Sequence, residues 1–397
     1  MNVPKLRFKE FTDEWKQTPL KNIIYSNIIE APKPTTDYIR LGIRSHCKGT
    51  FHELVKIENI LSADKMYIVP KNNLILNITF AWEQAIAITD DNDEGKYISN
   101  RFPTFAFKDN QLPTFYKYII PQKRLKYDLN VASPGGAGRN RVLNKKLFLS
   151  IPVNIPLLKE QEKISKFLTT VDKKITNLEN TITSLENQKK GLLQQIFSQK
   201  LRFKDKNGNN YPNWEKKQLS EYVFIYDGTH QTPKYTNSGI KFVSVENINN
   251  LSGTNKFISE KDFLKEFKNI PEKNDILMTR IGDVGTATLI TQNEPLAYYV
   301  SLALFKQKKS IHMPFLLHYI STIYFQHELW KRTLHIAFPK KINKNEIGKC
   351  NLLVPCLEEQ TKIADFLSAF DRKLENQKAQ LEHWKQIKKG LLQQMFI

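Results

Sequence analysis

The chain predicts an α+β protein written twice. Two globular domains alternate with two long helices that pair as an antiparallel coiled coil, giving an internal tandem repeat with pseudo-twofold symmetry. Three observations predict it: a 43-residue segment that recurs at a fixed offset, a heptad seam in each copy, and short β-rich runs broken by polar, Asn-rich turns in between.

The repeat comes first because it decides the architecture. Residues 155–197, IPLLKEQEKISKFLTTVDKKITNLENTITSLENQKKGLLQQIF, align without a gap to 354–396, VPCLEEQTKIADFLSAFDRKLENQKAQLEHWKQIKKGLLQQMF, with 19 identities in 43 positions. The domain fronts rhyme as well. KLRFKE at 5–10 returns as KLRFKD at 200–205, and Trp15 returns as Trp214.

Within the first copy Ile164, Leu168, Val171, Ile175, Leu178, Ile182, Leu185, Leu192 and Ile196 fall in steps of four and three, broken only by Lys189. The second copy runs Ile363, Leu367, Phe370, Leu374, Gln377, Leu381, Trp384, Leu391 and Met395, broken by Lys388. So narrow an apolar stripe is the seam of a coiled coil. Pro156 and Pro355 stand just ahead of each run, where proline is tolerated. Each helix is expected to span about 40 residues, or about 60 Å. A helix with so thin a stripe needs a partner in water, and the nearest partner is the other copy.

The chain thus divides into globular domains at 1–154 and 201–353 and helices at 155–200 and 354–397. Expected strands include Leu74–Thr79, Ala85–Thr89, Phe242–Val245, Ile276–Thr279 and Ala287–Ile290, with helical pieces at Thr114–Ile120 and Pro314–Trp330, around a small mixed or antiparallel sheet in each domain. The aromatic cluster of Phe102, Phe105, Phe107, Phe115, Tyr116 and Tyr118 reads as core before it reads as a base-stacking platform.

Sixty Lys and Arg against 40 Asp and Glu leave a formal charge of +20. The helices hold little of it, +3 in 155–200 and +1 in 354–397, so about +16 lies in the globular domains. That distribution points to a polyanion at the domains and protein contacts along the helices. Bulk solubility and ribosome or membrane association are the other readings of such charge. No run approaches the length of a spanning helix, mean hydropathy is −0.47, and the amino terminus has no signal-peptide pattern, so a cytoplasmic location is expected. Cys47, Cys350 and Cys356 form neither a disulfide framework nor a metal motif.

Several segments carry groups suited to DNA. SPGGAGRNRVLNKK (133–146) is a Gly-rich loop with Arg139, Asn140, Arg141, Lys145 and Lys146, and Arg and Asn read guanine and adenine edges bidentately. Its counterpart LHIAFPKKINKNE (334–346) carries Lys340, Lys341 and Lys344 without the glycines. YDGTHQTPKY (226–235) offers His230, Gln231 and Thr232, with Asp227-Gly228 serving a turn. Arg280 follows the apolar run ILMT, and Arg44 holds a similar early-strand place in the first domain. Each has a plainer reading as a solvated loop, a turn or a surface ion pair. HExxH, GxSxG, Walker A, GxGxxG and the Asn-Pro-Pro-aromatic tetrapeptide are all absent, which points to binding without catalysis and to no metal.

Taken with the junctions IPLLKEQEKISKFL and VPCLEEQTKIADFL, the KKGLLQQ-aromatic endings and NDILMTRIGDVGTATLI (274–290), the chain resembles the DNA-specificity subunit of a type I restriction–modification enzyme over nearly its whole length. The resemblance implies that each globular domain is a target-recognition domain reading one half of a bipartite, asymmetric double-stranded DNA site. The helix pair sets the unread spacer. It further implies docking of two modification subunits that methylate adenine with S-adenosylmethionine, and of restriction subunits that use ATP and Mg for translocation and cleavage. The chain itself would have no active site and no cofactor. In the first domain NITFAWEQ (77–84) stands where TRIGDVG is expected, so Arg280 has no arginine counterpart there. A nucleic-acid-modifying enzyme with dispersed residues, such as a divergent nuclease, and a coiled-coil protein adaptor are the competing classes.

Overall fold

The computed structural model describes residues 3–59, 65–136 and 141–396. The chain forms two compact units, Met1–Leu178 with Gln380–Ile397, and Glu179–Ala379. Boundaries drawn from the sequence at 154/155 and 353/354 separate domain from helix. The compact units instead divide the long helices, so each unit holds one globular domain, the start of one long helix and the end of the other.

The first unit's domain carries α1 (Pro113–Ile119), α2 (Lys123–Val131) and α3 (Lys145–Ser150), and leads into α4 (Leu158–Phe197). The second carries α5 (Glu260–Glu266), α6 (Met313–Ile320), α7 (Ile323–Arg332) and α8 (Lys344–Gly348), and leads into α9 (Leu357–Met395). Where one helix was expected across 314–330 there are two. Ser321 ends α6, and the Thr322 hydroxyl accepts from Phe325 N to cap α7.

Each domain is closed at its neck by its own first and last strands, paired antiparallel: Lys16–Pro19 with Pro152–Ile155, and Glu215–Gln218 with Asn351–Val354. Beyond the neck, each has an antiparallel four-stranded sheet. In the first its order is 24–26, 104–107, 74–76, 86–88; in the second it is 223–227, 302–307, 276–279, 287–289. A further mixed sheet follows, with Tyr38–Ile43 parallel to Tyr97–Ile98 in one domain and Ile240–Val243 parallel to Leu296–Tyr298 in the other. Ile276–Thr279 is buried along its whole length because it is a central strand, covered on both faces. The expected strand at 74–79 stops at Leu76. Asn77 Oδ1 then accepts from Thr79 N, turning the chain into a 3-10 segment at Ala81–Glu83.

The shared junction residues prove to be a clasp. In the second unit Arg202 holds Glu359 through two hydrogen bonds of 3.0 and 2.6 Å, and Trp214 Nε1 donates to the same carboxylate at 2.9 Å. Gln360 accepts from His312 N at 2.8 Å and donates to the Pro355 carbonyl at 2.9 Å, tying α6 to the start of α9. Phe203 meets Phe366 edge-on, and Leu201 N donates to the Gln195 carbonyl at the end of α4. The first unit repeats the set except for the indole bond: Arg7 on Glu160 at 2.8 Å, Gln161 on Leu112 N and the Pro156 carbonyl, Phe8 against Phe167, and Leu6 N on the Gln394 carbonyl. LRF therefore binds the end of one long helix to the start of the other within each unit.

Within each unit the long-helix segments run antiparallel, as Asp172–Lys388 (2.7 Å) shows in one and Glu186–Lys378 (2.7 Å) with Asp371–Lys189 in the other. The seam residues Ile164, Leu168, Val171, Leu178, Leu185, Ile363, Leu367 and Leu374 are buried, whereas Ile175, Leu192, Phe370, Leu381, Trp384 and Leu391 are half-buried. The two lysines that break the heptads face aspartates, so each break is an ion pair that marks the register.

Those aspartates also receive the domains. Tyr118 donates to Asp172 at 2.9 Å in the first unit; in the second, buried His318 lies 3.2 Å from Ser368 and 3.9 Å from Asp371. Burial pushes the His318 pKa down to about 4, with Lys189 and His312 adding to the fall and Asp371 opposing it. Between pH 6.5 and 4 the unfolded chain takes up a proton that the folded unit refuses, so stability falls as pH falls. The second unit should lose about 2 kcal/mol from this group between pH 7 and pH 5. His318→Tyr, which copies Tyr118, should flatten that part of the profile in urea titrations at the two pH values. Equal slopes for both proteins would remove His318 as the cause.

Candidate nucleic-acid interface

In the second domain the structure gathers three segments that are far apart in sequence. Asp227 ends one strand of the four-stranded sheet, and Arg280 leaves the end of another. The Arg280 guanidinium is 2.5 Å from Asp227 Oδ1 and donates through Nε to the Ile342 carbonyl at 3.1 Å, with only 8% of its side chain exposed. Lys344 Nζ lies 3.7 Å and His230 Nε2 3.9 Å from Asp227 Oδ2. Asp227 thus does more than serve a turn. It is the anion around which Arg280, His230 and Lys344 collect.

Backbone geometry holds the cluster. Gly228 lies against the neighbouring strand so closely that a Cβ there would sit 2.2 Å from the Tyr298 carbonyl oxygen. Gly282 has φ +84° and donates its N–H to the Lys340 carbonyl at 2.7 Å, while Ile342 N donates to the Arg280 carbonyl at 2.9 Å. The loop bearing Lys340 and Lys341 is thereby laid along the turn that follows Arg280. His230, Gln231, Thr232, Lys340, Lys341 and Lys344 are all exposed there, and Lys340 and Lys341 make no ion pair among the described residues. Arg280 is committed to its carboxylate and carbonyl, and its geometry is that of a positioning residue.

The first domain builds the same place differently. Leu143 N donates to the Ile78 carbonyl at 2.9 Å, the pairing that Ile342 makes with Arg280, so Ile78 stands where Arg280 does. The cation comes from the loop instead: Arg141 stacks over Trp82 at 5.1 Å and donates to the carbonyls of Ser133 (3.0 Å) and Asn130 (2.9 Å). Lys145 and Lys146 are exposed in the first turn of α3, capped by Asn144. Arg139 and Asn140 lie outside the described residues. Arg44 is exposed in the hairpin between Tyr38–Ile43 and Thr50–Val55, donating to the Thr50 carbonyl at 2.5 Å and covering the Phe51 ring at 5.0 Å.

Phe105, Phe115, Tyr116 and Tyr118 are buried in the first core, and Phe107 packs against it. Burial pushes the thiols of Cys47 and Cys350 up to about 12, out of the nucleophilic range. Among the described residues no group of three or more His, Cys, Asp or Glu side chains is placed to hold a metal ion.

A family model described as "Type I restriction modification DNA specificity domain" matches the chain twice, at residues 17–187 and 211–383. The "Type I restriction enzyme MjaVIII specificity subunit" of Methanocaldococcus jannaschii is 25% identical over 381 residues, covering 91% of this chain and 84% of that protein. Among solved structures, the type I restriction–modification S subunit from M. genitalium superposes with TM-score 0.63 at 15% identity, covering 100% of this chain and 99% of that one. A chain from a structure of type I R-M complex assembly and conformational transition superposes with TM-score 0.54 at 16% identity, covering 95% and 96%.

Proposed function

Because the chain belongs to the type I restriction–modification DNA specificity family, we propose that its two domains divide the reading of one DNA site between them. It is a non-catalytic specificity subunit that acts on DNA within a complex with methylase and restriction subunits. Each target-recognition domain reads one half of a bipartite, asymmetric sequence, and the paired helices set the spacer and dock the partners. Two modification subunits bind, S-adenosylmethionine serves them, and ATP and Mg serve the restriction subunits, all in the cytoplasm. Among the described residues no helix is long and apolar enough to cross a membrane.

The carrying observation is the contrast between clasp and loops. LRF, Glu-Gln and the helix ends repeat in both units, while the loops around Arg280 and Trp82 differ in residue and in geometry. A common frame with two unlike faces fits two unlike half-sites. In this reading Lys340, Lys341, Lys344, His230, Gln231 and Thr232 meet the second half-site, with Arg280 and Asp227 holding them. Arg44, Arg139, Asn140, Arg141 and Lys145 meet the first.

Methylation sequencing of host DNA with and without the gene supplies the target. Replacing the first domain by that of a relative should then change one half-site and leave the other as it was. If both halves change, the domains are not independent readers.

A further inference from the structure

The loop that follows α7 carries more than lysines. Its neck is pinned by Leu334 N donating to the Lys341 carbonyl at 2.8 Å, and Lys341 also bridges to Ile281. At its tip Ile336 and Phe338 are fully exposed. Scattered half-exposed apolar side chains are ordinary on a surface; two left wholly in water two residues apart in a pinned loop are not.

The surroundings say what covers them. Lys340 and Lys341 are exposed and without ion pairs among the described residues. Lys331 and Arg332 are shared with Glu328, and His335 Nε2 lies 2.8 Å from the Trp330 carbonyl. The carboxylate of the adjoining turn, Asp283, is bonded to Thr286. An apolar point collared by free cations matches duplex DNA, whose phosphates meet the collar while the point reaches the bases. The same neck joins this loop to the cluster holding His230.

We propose that the 334–341 loop is an apolar wedge that sets Phe338 and Ile336 against the bases of the second half-site, parting one base step. The proposal rests on the DNA-specificity reading above and adds to it the group that contacts bases without hydrogen bonds.

The test uses the full chain assembled with its modification subunits and the target duplex mapped by methylation sequencing. Because both side chains lie in solvent, Phe338→Ser and Ile336→Ser should leave thermal stability unchanged. Together they should weaken target binding by about 10- to 100-fold while leaving non-specific duplex binding and the salt slope alone. Lys340→Ser should instead weaken both DNAs and lower the salt slope by about one. 2-Aminopurine scanned through the second half-site should brighten at one step with the native chain and not with Phe338→Ser. Unchanged target affinity, equal loss on both DNAs, no brightening, or failure to assemble with the modification subunits each overturns the wedge. A native complex that prefers no bipartite site defeats the underlying reading itself.

Discussion

Replacing Glu359 with alanine should destabilise the second unit by about 3–5 kcal/mol, a large fraction of the roughly 5–15 kcal/mol that is typical of folded proteins. The carboxylate is fully buried and receives two hydrogen bonds from Arg202 and one from Trp214 Nε1. Its removal leaves a mostly buried guanidinium held only by the Tyr211 and Pro212 carbonyls, and an indole N–H with no other acceptor among the described residues. Glu160→Ala in the first unit breaks the matching Arg7 pair. It should cost about 1 kcal/mol less, because Trp15 Nε1 has no hydrogen-bond partner among the described residues to lose. Urea denaturation followed by hydrogen exchange assigns each loss to its unit. Equal costs at the two sites would mean that the tryptophan bond contributes nothing.

Phe396→Ala should cost the first unit about 3–5 kcal/mol. Phe396 is buried against Trp15 at 6.0 Å and Phe115 at 5.8 Å, in the core that also takes Met395, Leu391 and Leu392. Protection should fall throughout Met1–Leu178 and hold in Glu179–Ala379, although the altered residue is more than 200 positions beyond Leu178. Phe197→Ala, in the same relation to Trp214 and Phe315, should do the reverse. Loss of protection confined to the last turn of α9 would show that the aromatic contact is ornamental.

The long helices were legible because a heptad seam is a local, periodic signal, and 40 and 39 residues of helix answer the expected length. The repeat exposed the clasp residues but not their work. Nothing in the spacing of LRF and Glu-Gln says that Arg202 reaches Glu359 across 157 positions. Arg280 looked like a surface cation at a strand end, since burial is invisible in one sequence, and Asp227 looked like turn chemistry. Only the sheet order brings those strands together. Nothing in the sequence sets Ile336 and Phe338 apart from other apolar residues; what distinguishes them is their full exposure, which is a property of the fold.

The pairing of Leu6 with Gln394, and of Trp15 with Phe396, has a consequence in time. The second unit is one unbroken stretch of chain and can be completed while synthesis is still running. The first cannot, because Leu391, Leu392, Met395 and Phe396 of its core follow the whole of the second unit in the chain. At about 5–20 residues per second, the intervening stretch keeps the nascent first domain waiting for roughly 10–40 s. Through that interval its Trp15 pocket stands unfilled. The half that is made first is finished last, and an interrupted message yields a sound second unit beside a first one lacking part of its core.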